Sequence, residues 1–140
     1  MSTLRTNALE GVDAKNSITI VAGAGNITTT NVQEGLAKAW INFNGTGTIA
    51  TRDSFNVGSL TDNGTGDHTI NLSNSMANDD YAVTSGGAFA YANNGANDTN
   101  VQCYDITTSL FDLAVGYLDG SGATKRDHSL NVATAHGDLA

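Results

Sequence analysis

The chain has 140 residues, enough for one ordinary core, so a single domain with an N-terminal extension is the arrangement its length favours. Asn, Gly, Thr and Ser make up 60 of those residues, Pro is absent and charged residues are only 14%, a composition that suits short strands and polar turns and leaves few residues for long helices. A formal charge of −8 with six scattered Lys and Arg argues against nucleic-acid binding, which needs clustered cations along the phosphate backbone.

Membrane insertion is not expected either: no apolar run approaches about 18 residues. Met1 to Glu10 lacks the basic start and apolar core of a secretion signal, so the chain is expected to leave the ribosome into cytoplasm. The lone Cys103 excludes an internal disulfide.

In chain order, Thr3 to Glu10 is polar and mildly alternating, and Ser17 to Ala22 reads as a strand with Ile18 and Ile20 in phase. Gly23, Ala24 and Gly25 end it. A strand followed by Gly-x-Gly suggests a dinucleotide loop, but Thr28 stands where the third glycine belongs and no apolar helix follows. Asn31 with Glu34 forms a capping-box pattern, which predicts a short helix over Val32 to Ala39. The segment Met1 to Gly35 carries Leu, Val and Ile but no aromatic residue. Trp40 and every Phe and Tyr lie beyond it. The organisation expected is therefore an attachment segment over 1–35 and a β-rich outer domain over 36–140. A strand-patterned segment of small apolar residues can add to a neighbour's sheet edge.

Leu36 to Leu72 organises the rest. Asn-Gly-Thr-Gly occurs twice, from Asn44 and from Asn63, each time between alternating apolar runs, which predicts hairpin turns at Asn44-Gly45 and Asn63-Gly64. A type I′ turn demands positive φ at both central residues, so Gly45 and Gly64 are expected to be strained by any side chain. Ala39, Ile41 and Phe43 share one strand face and Trp40, Asn42 and Asn44 the other. Further strands are expected at Tyr81 to Thr84, Ala88 to Tyr91, Val101 to Tyr104, Leu113 to Tyr117 and Leu130 to Ala133, with a turn at Asp119 to Gly122. The core expected comprises Trp40, Phe43, Phe55, Val57, Ile70, Leu72, Tyr81, Val83, Phe89, Leu113, Val115 and Leu130. Strands every 8–12 residues predict an all-β fold, an antiparallel β-sandwich or small barrel with an extended N-terminal attachment segment.

The wording KAWINFNGTGTIATRDSFNV followed by SLTDNGTGDHTINL resembles a domain of fibre-type proteins of tailed bacteriophages, especially phages of marine bacteria and cyanobacteria. The opening MSTLRTNALEG is similar to the start of many such proteins. Together the matches cover Met1 to about Val12 and Leu36 to Leu72. The resemblance implies a virion structural protein assembled in the host cytoplasm beside other tail or capsid proteins. It also implies a trimer, the usual state in that family, and supplies no catalytic residue or cofactor. A tail-fibre-like protein is the reading it favours. A capsid decoration protein is the alternative, because the chain is short and has neither heptads nor a repeat array.

No constellation in the sequence carries chemistry convincingly. His68 and His128 each follow an Asp, but neighbours in a strand point to opposite faces, so neither Asp67 nor Asp127 orients a ring for a catalytic triad. A metal site among His68, His128 and His136 lacks the i, i+2 or i, i+4 spacing, and surface or turn histidines are the expectation. Asp62 and Asp67 miss the calcium-loop spacings and read as turn residues. The Asn-x-Ser/Thr sequons at Asn26, Asn44, Asn63, Asn71 and Asn97 follow from composition. Cys103 is expected to pack as a small apolar residue. Tyr91, Tyr104 and Tyr117, with Asn and Asp nearby, are the candidates for contact with a host-surface glycan, although packing is the commoner use of Tyr in strands. A free carbohydrate-binding module is thus a further alternative. Catalytic, metal and cofactor sites are expected to be absent.

Overall fold

The computed structural model describes residues 19–22, 28–87, 98–119 and 122–140. It divides into two compact units, Met1–Leu36 and Ala37–Ala140. In the first, β1 (Thr19–Ala22) and β2 (Thr28–Asn31) form an antiparallel pair, followed by a single helical turn, α1 (Val32–Gly35). The helix predicted up to Ala39 stops at Gly35, and Ala39 already belongs to a strand.

The second unit is an antiparallel β-sandwich. Its first sheet has the order β4 (Ala50–Phe55), β3 (Ala39–Asn44), β11 (Asn131–His136), β7 (Ala82–Gly87). The second runs β5 (Val57–Gly64), β6 (Asp67–Leu72), β9 (Leu110–Asp119), β8 (Asp98–Thr107). β10 (Gly122–Lys125) lies on the same side of β9 as β6, continuing where β6 begins. β9 therefore stays paired along its length, with β6 beside Leu110 to Ala114 and β10 beside Gly116 to Asp119.

The hand-over happens at Val115. Its amide donates to the Gly66 carbonyl at 2.8 Å, and its carbonyl accepts from the Arg126 amide at 2.9 Å. Gly66 is required there twice over. Its φ is 62°, and a Cβ would stand 2.2 Å from the Val115 oxygen, a distance no packing tolerates. Its amide donates to Asp127 Oδ1 at 2.6 Å, which fixes the turn against the 126–130 loop.

The sheets are linked along both sides. At Asn56, with φ 55°, the chain leaves the first sheet for the second. A non-glycine residue holds such a backbone best when its side chain bonds locally, and Asn56 Oδ1 accepts from the Asn74 amide at 2.8 Å. On the other side, Ser85 Oγ of β7 donates to the Val101 carbonyl of β8 at 2.8 Å.

Between the sheets, Ala39, Ile41 and Phe43 of β3 and Ala133 and Ala135 of β11 meet Ile70 of β6 and Phe111 and Leu113 of β9, with Met76 and Tyr81 at one end. Full burial of such side chains stabilises by roughly 1.5–3 kcal/mol each before entropy is counted. Three core assignments differ from expectation. Phe55 is 50% exposed, and Trp40 lies opposite it on the outward face, because Ile41 and Phe43 occupy the inward phase of β3. Val57 packs against the core after the change of sheet at Asn56. Leu130 is only half-buried, in the loop before β11. Phe89 lies outside the described residues.

The turns differ as well. β3 and β4 are joined by five residues, 45–49, and positive φ falls on Gly47 rather than Gly45. β5 runs through Asn63-Gly64, so the tight turn is Thr65-Gly66. The Asn44 side chain holds the first loop, accepting from Thr46 Oγ1 at 2.8 Å.

Candidate functional site

The outward face of the second sheet is where exposed polar side chains are organised by one another. Alternation sends Phe111, Leu113 and Val115 inward and Asp112, Ala114 and Gly116 outward. The register places Asp67 and Gln102 beside Ala114, and Lys125 beside Gly116, on that same outward face.

Tyr104 follows the inward-facing Cys103 and so points to this face by alternation, and an irregularity of β8 between Cys103 and Asp105 puts Asp105 opposite the outward Asp112 as well. Its ring is 53% exposed but fixed in place. The hydroxyl donates to Asp67 Oδ1 at 2.6 Å, Lys125 Nζ pairs with Asp67 Oδ2, and the same ammonium lies 5.5 Å from the Tyr104 ring centroid. Asp67 is held below the usual carboxylate value of 3.8, first by Lys125 and then by the tyrosine hydroxyl. That hydroxyl is raised in turn by its bond to the carboxylate.

A second chain of bonds continues across the face. Asn63 Nδ2 donates to Thr69 Oγ1 at 2.8 Å, and Thr69 Oγ1 donates to Asp112 Oδ1 at 2.5 Å. Asn71 Nδ2 donates to Thr61 Oγ1 at 3.2 Å. Next to Tyr104, a groove of about 320 Å³ runs over Ala114 and Gly116, bordered by Gln102, Ala123 and Lys125, with Tyr117 and Thr124 also in its lining.

Of the three tyrosines singled out from sequence, Tyr104 stands on the outward face of β8, whereas Tyr117 of β9 follows the inward phase of Val115 and meets this face only in the lining of the groove beside Lys125. Tyr91 lies outside the described residues. Lys125, Gln102 and Thr69 were not among the sequence candidates, and Asp67, weighed there for a triad and a calcium loop and read as a turn residue, instead opens β6. The i, i+2 spacing of Asp67, Thr69 and Asn71 marks a polar strand face. Lys125, 58 positions away from Asp67, has no such signal.

Chemically, the face presents an oriented aromatic ring, amides, hydroxyls and carboxylates around an apolar floor. These are the groups that recognition of a polyhydroxylated ligand requires, rings for its C–H faces and hydrogen-bonding partners for its hydroxyls. Reactive groups lie elsewhere. Cys103 packs against the core, and burial pushes its thiol above the ordinary value. His68 is buried, contrary to the expected surface or turn position, because it shares the inward phase of Ile70. Among the described residues, no group of three or more His, Cys, Asp or Glu is placed to hold a metal ion, and no helix is long and apolar enough to cross a membrane. No family model matches the chain, and neither a curated protein nor a solved structure does.

Proposed function

We propose that the chain is a non-enzymatic structural component of a bacteriophage virion. It is a tail-fibre-like protein that joins the particle through Met1 to Gly35 and turns its β-domain outward. The observation that carries this reading is the wording of Leu36 to Leu72, whose resemblance to fibre-type proteins spans β3 through β6. The fixed Tyr104 ring and the groove beside it support contact between the outer face of the second sheet and host-surface glycans. The protein works as a homotrimer among other tail proteins, needs no cofactor and is assembled in the host cytoplasm. Glycans offered to it are bound and released unchanged.

A capsid decoration protein is the second reading, favoured by the short chain with no heptads to build a shaft. Quantitative mass spectrometry of purified particles separates the two. A fibre is present in few copies per particle and a decoration protein in many. Absence of the chain from purified particles would sink both and leave a free carbohydrate-binding module.

A further inference from the structure

One end of the core is polar. His68 of β6 is fully buried, and its ring stands edge-on to Phe43 of β3, 5.1 Å between centroids at 77°. Neither ring nitrogen has a hydrogen-bond partner. Beside it Asn131 of β11, also fully buried, donates from Nδ2 to the His128 carbonyl at 2.9 Å and leaves Oδ1 unpartnered. His128 Nε2 is a further buried atom without a partner. These groups converge on Gly45. A Cβ there would lie 3.0 Å from both His68 Nε2 and Asn131 Nδ2, and 3.1 Å from the His128 oxygen. The Gly45 amide closes the arrangement by donating to that oxygen at 2.9 Å.

An unpartnered neutral polar group inside a protein costs about 1–3 kcal/mol, whereas a buried charge without a partner costs far more. We propose that His68 is an acid-sensitive latch between the two sheets: with a neutral ring the Gly45–His128 end stays closed, and uptake of a proton by the ring opens it. The hinge is at hand, since residues 126–130 belong to no strand and cover that end through the Gly45 to His128 bond.

The charged groups acting on the ring are Asp62 from β5 and Asp127 from the loop, with Asp67 acting from the opposite face of β6; from the loop His128 adds its backbone oxygen near Gly45 and a ring whose Nε2 is buried. β3, β9 and β11 present Phe43, Leu113 and Asn131, which are uncharged. Burial disfavours the imidazolium and outweighs the three carboxylates that favour it, so the closed ring binds its proton below the ordinary value of 6.5. An opened ring takes up the proton near 6.5. The closed form therefore keeps its full advantage above that pH and loses it as the pH falls below. Asp67 acts in a separate window: its depressed carboxyl contributes stability that is lost only as the pH falls below 3.8.

Amide hydrogen exchange on the full chain tests this, at about pH 8 and about pH 5, between which an ordinary histidine changes charge, with intrinsic rates corrected. The reporters are the Gly45 amide, bonded to His128, and the Met76 amide, bonded to Thr108 at the other end. Gly45 should lose protection severalfold at the lower pH while Met76 keeps its own. His68→Gln should remove this pH dependence, and His128→Gln and His136→Gln should retain it. Should His68→Gln not fold, the unaltered chain still decides. The His68 ring protons followed by NMR should then titrate below 6.5, in step with Gly45 exchange. Equal loss of protection at both amides, no change at Gly45, or pH dependence that survives His68→Gln or vanishes in His128→Gln would overturn the proposal.

Discussion

The two ends of the sandwich solve the same problem differently. At one end Tyr81 is buried, yet its hydroxyl lies 3.0 Å from the Thr107 carbonyl and 2.9 Å from the Leu110 carbonyl and shares its single proton between them. Met76 fills the space beside it, and the Met76 amide is bonded to Thr108 at 2.7 Å. Desolvation pushes the tyrosine up to about 12, so its hydroxyl keeps its proton across the physiological range. At the other end His68, His128 and Asn131 leave four buried polar atoms without partners. Equal burial therefore does not mean equal stability. The sealed end should be the last part of the domain to open and the polar end the first.

Substitutions sharpen that contrast. The largest effect is expected from Phe43→Ala, which removes a fully buried ring and the aromatic neighbour of His68, and should destabilise by about 3–5 kcal/mol in denaturant unfolding. Gly45→Ala should cost about 1–3 kcal/mol by overpacking, since its Cβ must displace the His68 and Asn131 side chains. Strain at positive φ is not the cause there. Tyr81→Phe removes the hydroxyl shared by the two carbonyls and should cost about 1–2 kcal/mol with no change in pH dependence above neutrality. The smallest effect is predicted for Lys125→Ala. Its partner Asp67 is paired at a site where the lysine side chain is 52% exposed, so stability should fall by less than about 1 kcal/mol. The stability that Asp67 contributes above pH 3.8 and loses as the pH falls below it should shrink at the same time, and a pH series of melts measures both.

Much of this was readable from alternation. β3 and β9 follow period two, and the same rule, carried back from Ile70, already places His68 inward. Trp40 is outward by the same logic, and only its size and apolar character suggested the core. Phe55 was misassigned because Asn56 adopts a left-handed backbone that restarts the phase in another sheet, and Asn carries no unique mark of doing so. Met76 sits in a polar stretch, yet it is buried through a bridge to Leu139 and a bond to Thr108, contacts far away in sequence. Tyr104 was visible as an aromatic in a strand. Its fixation by Asp67 and Lys125 depends on β6 and β10 meeting end to end along β9, a feature of topology that local pattern does not encode.

The virion assignment is tested most directly by adding back protein to particles that lack it. The full chain and the fragment Leu36 to Ala140, which holds the whole sandwich, are each offered to such particles, and co-sedimentation is quantified. The full chain should bind and the fragment should not, while the fragment remains folded and oligomeric by melting and light scattering. Binding of the fragment at the level of the full chain would contradict attachment through Met1 to Gly35, and failure of the full chain to bind would contradict a place in the particle at all.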